Sequence, residues 1–368
     1  MTFNKNHIYL LFLFYFISYV LIEYLHLSVG SGYIYGDWLI NYSGGFVRRG
    51  LIGEILLSTY IFDLGATLFF LKITFYIGIL YFTSQIINEK EINSYLPLLI
   101  SPAIFMFPIN DFGGIGRKEY LFFILISFMV WKIKSGKEPN YKIVYYILYP
   151  VLILSHEVLI LTLPFILYLQ LRNSQFNLSS LYKITISCLP SLIAFVFCYL
   201  YRTGSPELIL ASIESTGFIL NYGGAIDGLA KNTDNYLTDL SNNSVLAYRF
   251  IPYFLLSLCG FYFIRERFYN LSTLGYALLT APLLGFIILS IIAADYGRWI
   301  HIYMMGLFFT SLVSEVQIAK LFFYKKHLLI ISIFSFSWAI PHVVTASGYP
   351  IWLKIIRILW EPPLQSVN

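Results

Sequence analysis

Apolar runs of about twenty residues recur from one end of this chain to the other, and each is long enough to cross the hydrocarbon of a bilayer as a helix. That repetition constrains the fold more than any motif does. In lipid, every backbone N–H and C=O must be satisfied inside the protein, which leaves helices or closed barrels. A barrel needs short segments of alternating hydrophobicity, whereas these runs are continuous. The expected fold class is therefore all-α: a polytopic integral membrane protein with about 11 transmembrane helices plus interfacial amphipathic helices. A hydrophobic content of 58% agrees, since soluble domains sit near ~45–50%.

The expected spans lie at about 7–27, 65–87, 95–108, 119–133, 143–156, 157–171, 183–201, 250–264, 274–293, 300–318 and 328–345. The first is too long for a signal peptide and lacks a small-residue cleavage site, so it is expected to be retained. Residues 51–62, with Glu54 among apolar neighbours, suggest a helix lying on the interface. Residues 1–368 form a single integral membrane domain, with a long external loop at about 202–249 and an interfacial C-terminal segment at about 349–360. Lys132, Lys134, Lys137, Lys142, Arg265 and Arg267 fall on one side of this topology, taken as cytoplasmic together with the N-terminus. Cys188, Cys198 and Cys259 lack metal-ligand spacing and suit small core positions. No Lys/Arg run suggests nucleic acid.

Charged residues make up 12% of the chain, yet several collect in the external loops. Residues 36–50 read GDWLINYSGGFVRRG, residues 111–119 read DFGGIGRKE, and residues 295–299 read DYGRW. Each stretch places Asp, then Gly, then Arg at a span boundary. A fourth external turn, Ser155-His156-Glu157, separates two apolar runs with almost no loop between them. Ionisable groups at that depth are costly unless they pair or face a polar cavity. Arginine forks suit phosphate oxygens, and glycines let backbone N–H groups approach an anion. Sugar transfer from a lipid phosphate needs cations for the leaving group, a base for the attacking hydroxyl, and aromatic or amide groups for the sugar. Arg48, Arg49, Arg117, Lys118 and Arg298 suit the first task. Asp37, His156 and Glu157 are the catalytic candidates, Asp37 first as base, with Asp111 and Asp295 as further carboxylates. Trp38, Asn41 and Trp299 suit the sugar. The plainer alternatives are a helix cap at Asp37, lipid anchors at Arg48 and Arg49, a helix-start ion pair at Arg117-Lys118-Glu119, and a local salt bridge between Asp295 and Arg298.

With Asp37 in its first external loop, an amphipathic helix after it and a charged motif in the second loop, the chain resembles the GT-C class of membrane glycosyltransferases. That resemblance implies a polyprenyl-phosphate-linked sugar donor and assigns Asp37 the role of base. It departs from the class in having Asp37 alone beside Trp38 rather than a pair of acids. The eleven-span layout, external arginines and long external loop are similar to the Wzy-type O-antigen and capsular polysaccharide polymerases. These join undecaprenyl-pyrophosphate-linked repeat units at the periplasmic face of the bacterial inner membrane. The resemblance implies membrane lipid and a polysaccharide chain-length regulator as partners.

The favoured expectation is a periplasmic-face polymerase of O-antigen or capsule units. The alternatives are a GT-C-type single-sugar transferase, a lipid-linked oligosaccharide flippase or transporter, and a sugar-modifying acyltransferase. No cofactor is implied with certainty, though Asp37 with Asp111 or Asp295 offers oxygen ligands for a divalent cation.

Overall fold

The computed structural model describes residues 3–172, 177–201, 204–229, 248, 250–290, 293–314, 316, 325–343, 349–350, 352–353 and 356. All regular structure among them is helical. In chain order these are α1 (Lys5–Ser28), α2 (Ile34–Leu39), α3 (Leu51–Thr59), α4 (Leu64–Ile86), α5 (Ile92–Leu99), α6 (Phe107–Asn110) and α7 (Tyr120–Lys134). There follow α8 (Tyr141–Ser155), which includes a π-turn, and α9 (Glu157–Leu171), which opens in 3-10 geometry. Then come α10 (Leu178–Leu200), α11 (Pro206–Glu214), α12 (Phe250–Cys259), α13 (Thr273–Leu289), α14 (Tyr296–Leu312) and α15 (Lys325–Phe336).

Four of the long helices start where a polar side chain caps them. Asn4, Asp63, Asn177 and Ser272 accept from the backbone N–H groups of His7, Ala66, Ser180 and Gly275. Each such cap is worth about 1 kcal/mol. Three helices, α1, α4 and α10, are long and apolar enough to cross a membrane. Their outer faces carry large bare side chains: Leu10, Leu13 and Leu21 on α1, and Leu189, Ile193 and Leu200 on α10. Leaving a Leu or Ile exposed to water forfeits about 1.5–3 kcal/mol. Contiguous apolar surface of this kind marks a membrane face.

Inside, α4 packs along α7 and against α1. Tyr19, Tyr76 and Tyr120, one from each helix, stack with centroids 4.1 to 5.9 Å apart. Every residue of α14 from Tyr296 to Leu312 is buried. A helix buried all round lies at the centre of the fold, and α14 contacts α7, α9, α12 and α13.

The structure changes three expectations. The span expected at 95–108 is broken: α5 ends at Leu99, the chain turns through Ser101 and Pro102, and α6 restarts at Phe107. Proline disfavours helix in the residue before it, here Ser101. Residues 92–110 are all buried, so this irregular backbone is covered by protein. The span expected at 250–264 leaves α-geometry at Gly260 and continues in 3-10 turns. The span expected at 300–318 starts earlier, so Arg298 and Trp299 ride on α14 instead of in a loop. In the long loop expected at 202–249, α11 is followed by Asn221, whose backbone N–H donates to the Gly30 carbonyl at 2.8 Å. Residues 202–203, 230–247 and 249 of that loop lie outside the described residues, as do Lys354, Arg357 and Trp360 of the C-terminal segment.

Candidate functional site

The C-terminal ends of α1 and α8 and the N-terminal ends of α4, α7, α9 and α14 meet at one end of the bundle. Short connections make this happen. The turn at His156 reverses the chain between α8 and α9 with no loop, because its extended backbone (φ −161°, ψ 100°) ends one helix and starts the next. The loop after α2 is tied down by Asn41, whose amide donates to the Leu39 carbonyl and to Ser212 Oγ (both 3.0 Å) and accepts from Ser43 N–H at 2.8 Å. Tyr42 N–H donates to Glu54 of α3 at 3.0 Å. The loop ends at Arg49, whose φ of +70° is the one positive value at a non-glycine residue among those described. Such a backbone costs an L-residue about 1–2 kcal/mol. It is held from both ends. The Arg49 carbonyl accepts from Lys118 Nζ at 2.7 Å, and the guanidinium grips Glu157 through Nε and Nη2, each at 2.9 Å.

These contacts form an upper layer open to solvent. Glu157 also meets Arg48 Nη1 at 3.5 Å, and Arg48, Arg49 and Glu157 are all partly exposed. A second layer lies beneath. There buried Arg298 pairs with buried Glu119 and, at 2.7 Å, with the partly exposed Asp295. His156 joins the layers: its Nε2 lies 3.4 Å from Arg298 Nη2 and 3.6 Å from Glu119, and its Nδ1 lies 3.7 Å from Glu157. Arginine can only donate, so a bond from Arg298 makes Nε2 the acceptor and puts the ring proton on Nδ1, facing Glu157.

Asp37 sits at the back of the cluster with no exposed surface. Neither of its oxygens has a hydrogen-bond partner, but Arg117 Nε lies 3.5 Å away and Arg49 Nη1 3.8 Å away. Burial alone would raise its pKa. Arg117, Lys118, His156 and Arg49 overcome that and hold the carboxyl well below the usual range. Lys118 shows the opposite balance: burial pushes its ammonium down to about 8 although Asp37 favours the charge.

Of the residues expected to act together, Asp37, Arg48, Arg49, Arg117, Lys118, His156, Glu157, Asp295 and Arg298 are linked by contacts in this cluster. Asp111 is elsewhere: its carboxylate caps Gly113 N–H at 3.1 Å and faces His342 Nδ1 at 2.8 Å. Trp38 is fully buried, and its indole donates to the Gly116 carbonyl at 2.7 Å. Trp299 is buried and stacks on Phe286 with centroids 5.9 Å apart. Neither indole presents a free face to a sugar, and Asn41 spends its amide on the loop itself. Asp37 and Asp111 do not meet, and no group of three or more His, Cys, Asp or Glu among the described residues is placed to hold a metal ion.

Two participants escape a loop-by-loop sequence reading. Glu119 looks like a helix-start partner for its neighbours but reaches across to Arg298 instead. Lys72, midway along an apolar helix, forms a buried ion pair with Glu23 just beneath the cluster. A lone Lys in an apolar run is the signal that could have flagged it.

The arrangement combines cations that are already desolvated with carboxylates that neutralise them. An incoming anion can take over the partly exposed arginines in exchange for Glu157, and the released carboxylate can then accept a proton. No family model, curated protein or solved structure matches this chain.

Proposed function

We propose that this protein is a membrane glycosyltransferase acting on polyprenyl-(pyro)phosphate-linked sugars at the periplasmic face of a bacterial inner membrane, where it polymerises O-antigen or capsule repeat units. About eleven spans and a cytoplasmic N-terminus would place the cluster on that outer face. The observation that carries the reading is the convergence of Arg48, Arg49, Arg117, Lys118 and Arg298 with Asp37, Glu119, Glu157 and His156 at one end of the bundle.

In this reading the lipid pyrophosphate docks on Arg48 and Arg49 and displaces Glu157. The acceptor hydroxyl attacks the anomeric carbon, the bond from that carbon to the phosphate oxygen breaks, and the pyrophosphate leaves with its charge on the arginines. Glu157, released from Arg48 and Arg49 once they turn to the pyrophosphate, takes the hydroxyl proton, and His156 Nδ1–H faces its carboxylate. Asp37 changes role relative to the sequence expectation. A carboxylate held this far below the usual range is a weak proton acceptor at neutral pH. It serves better as the fixed counter-charge that keeps Arg117 and Arg49 aligned.

A flippase would need polar groups along a path through the membrane. Here, among the described residues, the charged side chains beneath the cluster end at Glu23 and Lys72, and the buried His301 beyond them is tied to the Ala103 carbonyl at 2.9 Å. One helical turn below that ion pair, about 5 Å, the tyrosine stack of Tyr19, Tyr76 and Tyr120 fills the interior.

Deletion of the gene in its host, with gel analysis of the surface polysaccharide, tests the proposal. A lipid anchor carrying one repeat unit, restored to long chains by the wild-type gene but not by Glu157→Gln, is the expected result. Loss of a single side sugar would point to a GT-C-type single-sugar transferase. An unchanged polysaccharide would refute both.

A further inference from the structure

We infer that the buried ion pair between Glu23 of α1 and Lys72 of α4 is a positioning strut for the segment that carries Arg117, Lys118 and Glu119. The inference rests on the proposed site for its functional consequence, but not for its structural claim.

Both side chains are fully buried and in direct contact. Taking two charges out of water costs several kcal/mol per ion, so a pair placed only for stability would do no better than two apolar residues. Its surroundings suggest a different purpose. Gly116, at φ +57°, lies directly on the pair: a Cβ added there would strike Glu23 Oε1 and come within 2.6 Å of Lys72 Cε. The Gly116 carbonyl is fixed from the opposite side by the Trp38 indole, one residue after Asp37. Lys72 Nζ also lies 4.5 Å from the centre of the Tyr35 ring, in the same short helix as Asp37. The pair therefore touches both segments that deliver the floor of the site, α2 and residues 116–119.

The charges matter as well as the shape. Lys72 lies within electrostatic reach of Asp37 and Arg117. While Glu23 neutralises it, Asp37 stays with Arg117 and Arg49. Without Glu23, the Lys72 ammonium would compete for Asp37. Without Lys72, the Glu23 carboxylate would compete for Arg117. The strut sets which cation faces which carboxylate one layer above, and neither member touches substrate.

This makes an unusual demand on variants. Glu23→Gln and Lys72→Met should each disturb the site, whereas the neutral double variant should restore it, because no unpaired charge remains. Hydrogen exchange of the full chain in lipid nanodiscs reads this without any activity. Each single variant should lower protection of residues 34–39 and 116–121 by about tenfold while α10 and α13 keep theirs, and the double variant should return to within about threefold of wild type. Polysaccharide assembly by the same variants in the host should fall and recover in parallel. Loss of protection spread evenly over all helices would make the pair a general stability element and overturn the inference. So would wild-type protection at 34–39 and 116–121 in both single variants, or a double variant worse than either single one. Localised, recoverable protection with an unchanged polysaccharide would keep the strut and remove the glycosyltransferase reading.

Discussion

Glu157 and Glu119 are two carboxylates on either side of His156, each gripped by arginine, and they do different work because of depth. Glu157 has a side-chain exposure of 13%, and its partners Arg48 and Arg49 have 25% and 21%. Glu119 has 5% and Arg298 3%. A solvent-facing ion pair contributes about 0–1 kcal/mol, because water competes for both ions. Breaking a buried one by removing a single partner costs about 3–5 kcal/mol, because the remaining charge has no water to return to. The upper layer can exchange a carboxylate for a phosphate with little net cost. The lower layer holds the geometry in which that exchange occurs.

Removing the floor cation should give the largest effect. Arg298→Gln strands buried Glu119 and should lower stability by about 3–5 kcal/mol, seen as a large drop in the thermal midpoint of the detergent-solubilised protein. If Arg298→Gln and Arg48→Gln shift that midpoint equally, depth does not separate the two layers.

Lys118 sharpens the comparison through pH. With its folded pKa lowered from 10.5 to about 8, the unfolded chain binds more protons between those values. The contribution of this group to stability therefore rises with pH across about 8 to 10.5, while the cation itself is lost from the site. Transfer activity should fall by about tenfold per pH unit above 8, and Lys118→Arg should flatten that limb. A pH–rate profile checks it; a limb that survives Lys118→Arg belongs to another group.

Arg49→Gly should give the smallest change in stability. It relieves about 1–2 kcal/mol of left-handed backbone strain and gives up a partly exposed pair with Glu157 and the more distant of two arginines beside Asp37, while Arg117 stays. The thermal midpoint should stay put or rise slightly while long-chain polysaccharide is lost. A large destabilisation would show that the bidentate grip on Glu157 outweighs the strain. Salt should separate the layers in the same direction: 0.5 M NaCl should weaken phosphate capture at Arg48 and Arg49 and leave the Arg298 layer intact, because screening acts on exposed charges.

Much of this molecule was legible before any coordinates. The apolar runs led directly to an all-helical fold, since lipid leaves the backbone few other options. The Asp–Gly–Arg stretches marked 36–50, 111–119 and 295–299, because charge is rare in this chain and costly near a membrane. The breaks in the helices were less legible. Pro97 and Pro102 sit in a run that is apolar throughout, and periodicity cannot tell a covered turn from a span.

What the sequence by itself determined is the inventory: which residues are charged, and that the apolar runs would force most of their carriers, Glu23 and Lys72 apart, to the ends of helices. Only the tertiary structure decided the partners. Glu119 answers Arg298 from 179 residues away, and Arg49 answers Glu157 from 108. Asp111, in the same kind of motif as Asp37, turns instead to His342. Trp38 and Trp299 pack inward rather than face a sugar. Hydropathy acts on each segment separately, so it can be summed along a chain. Charge pairing depends on which helix ends meet, and that is settled by the packing of α1, α4, α7, α9 and α14.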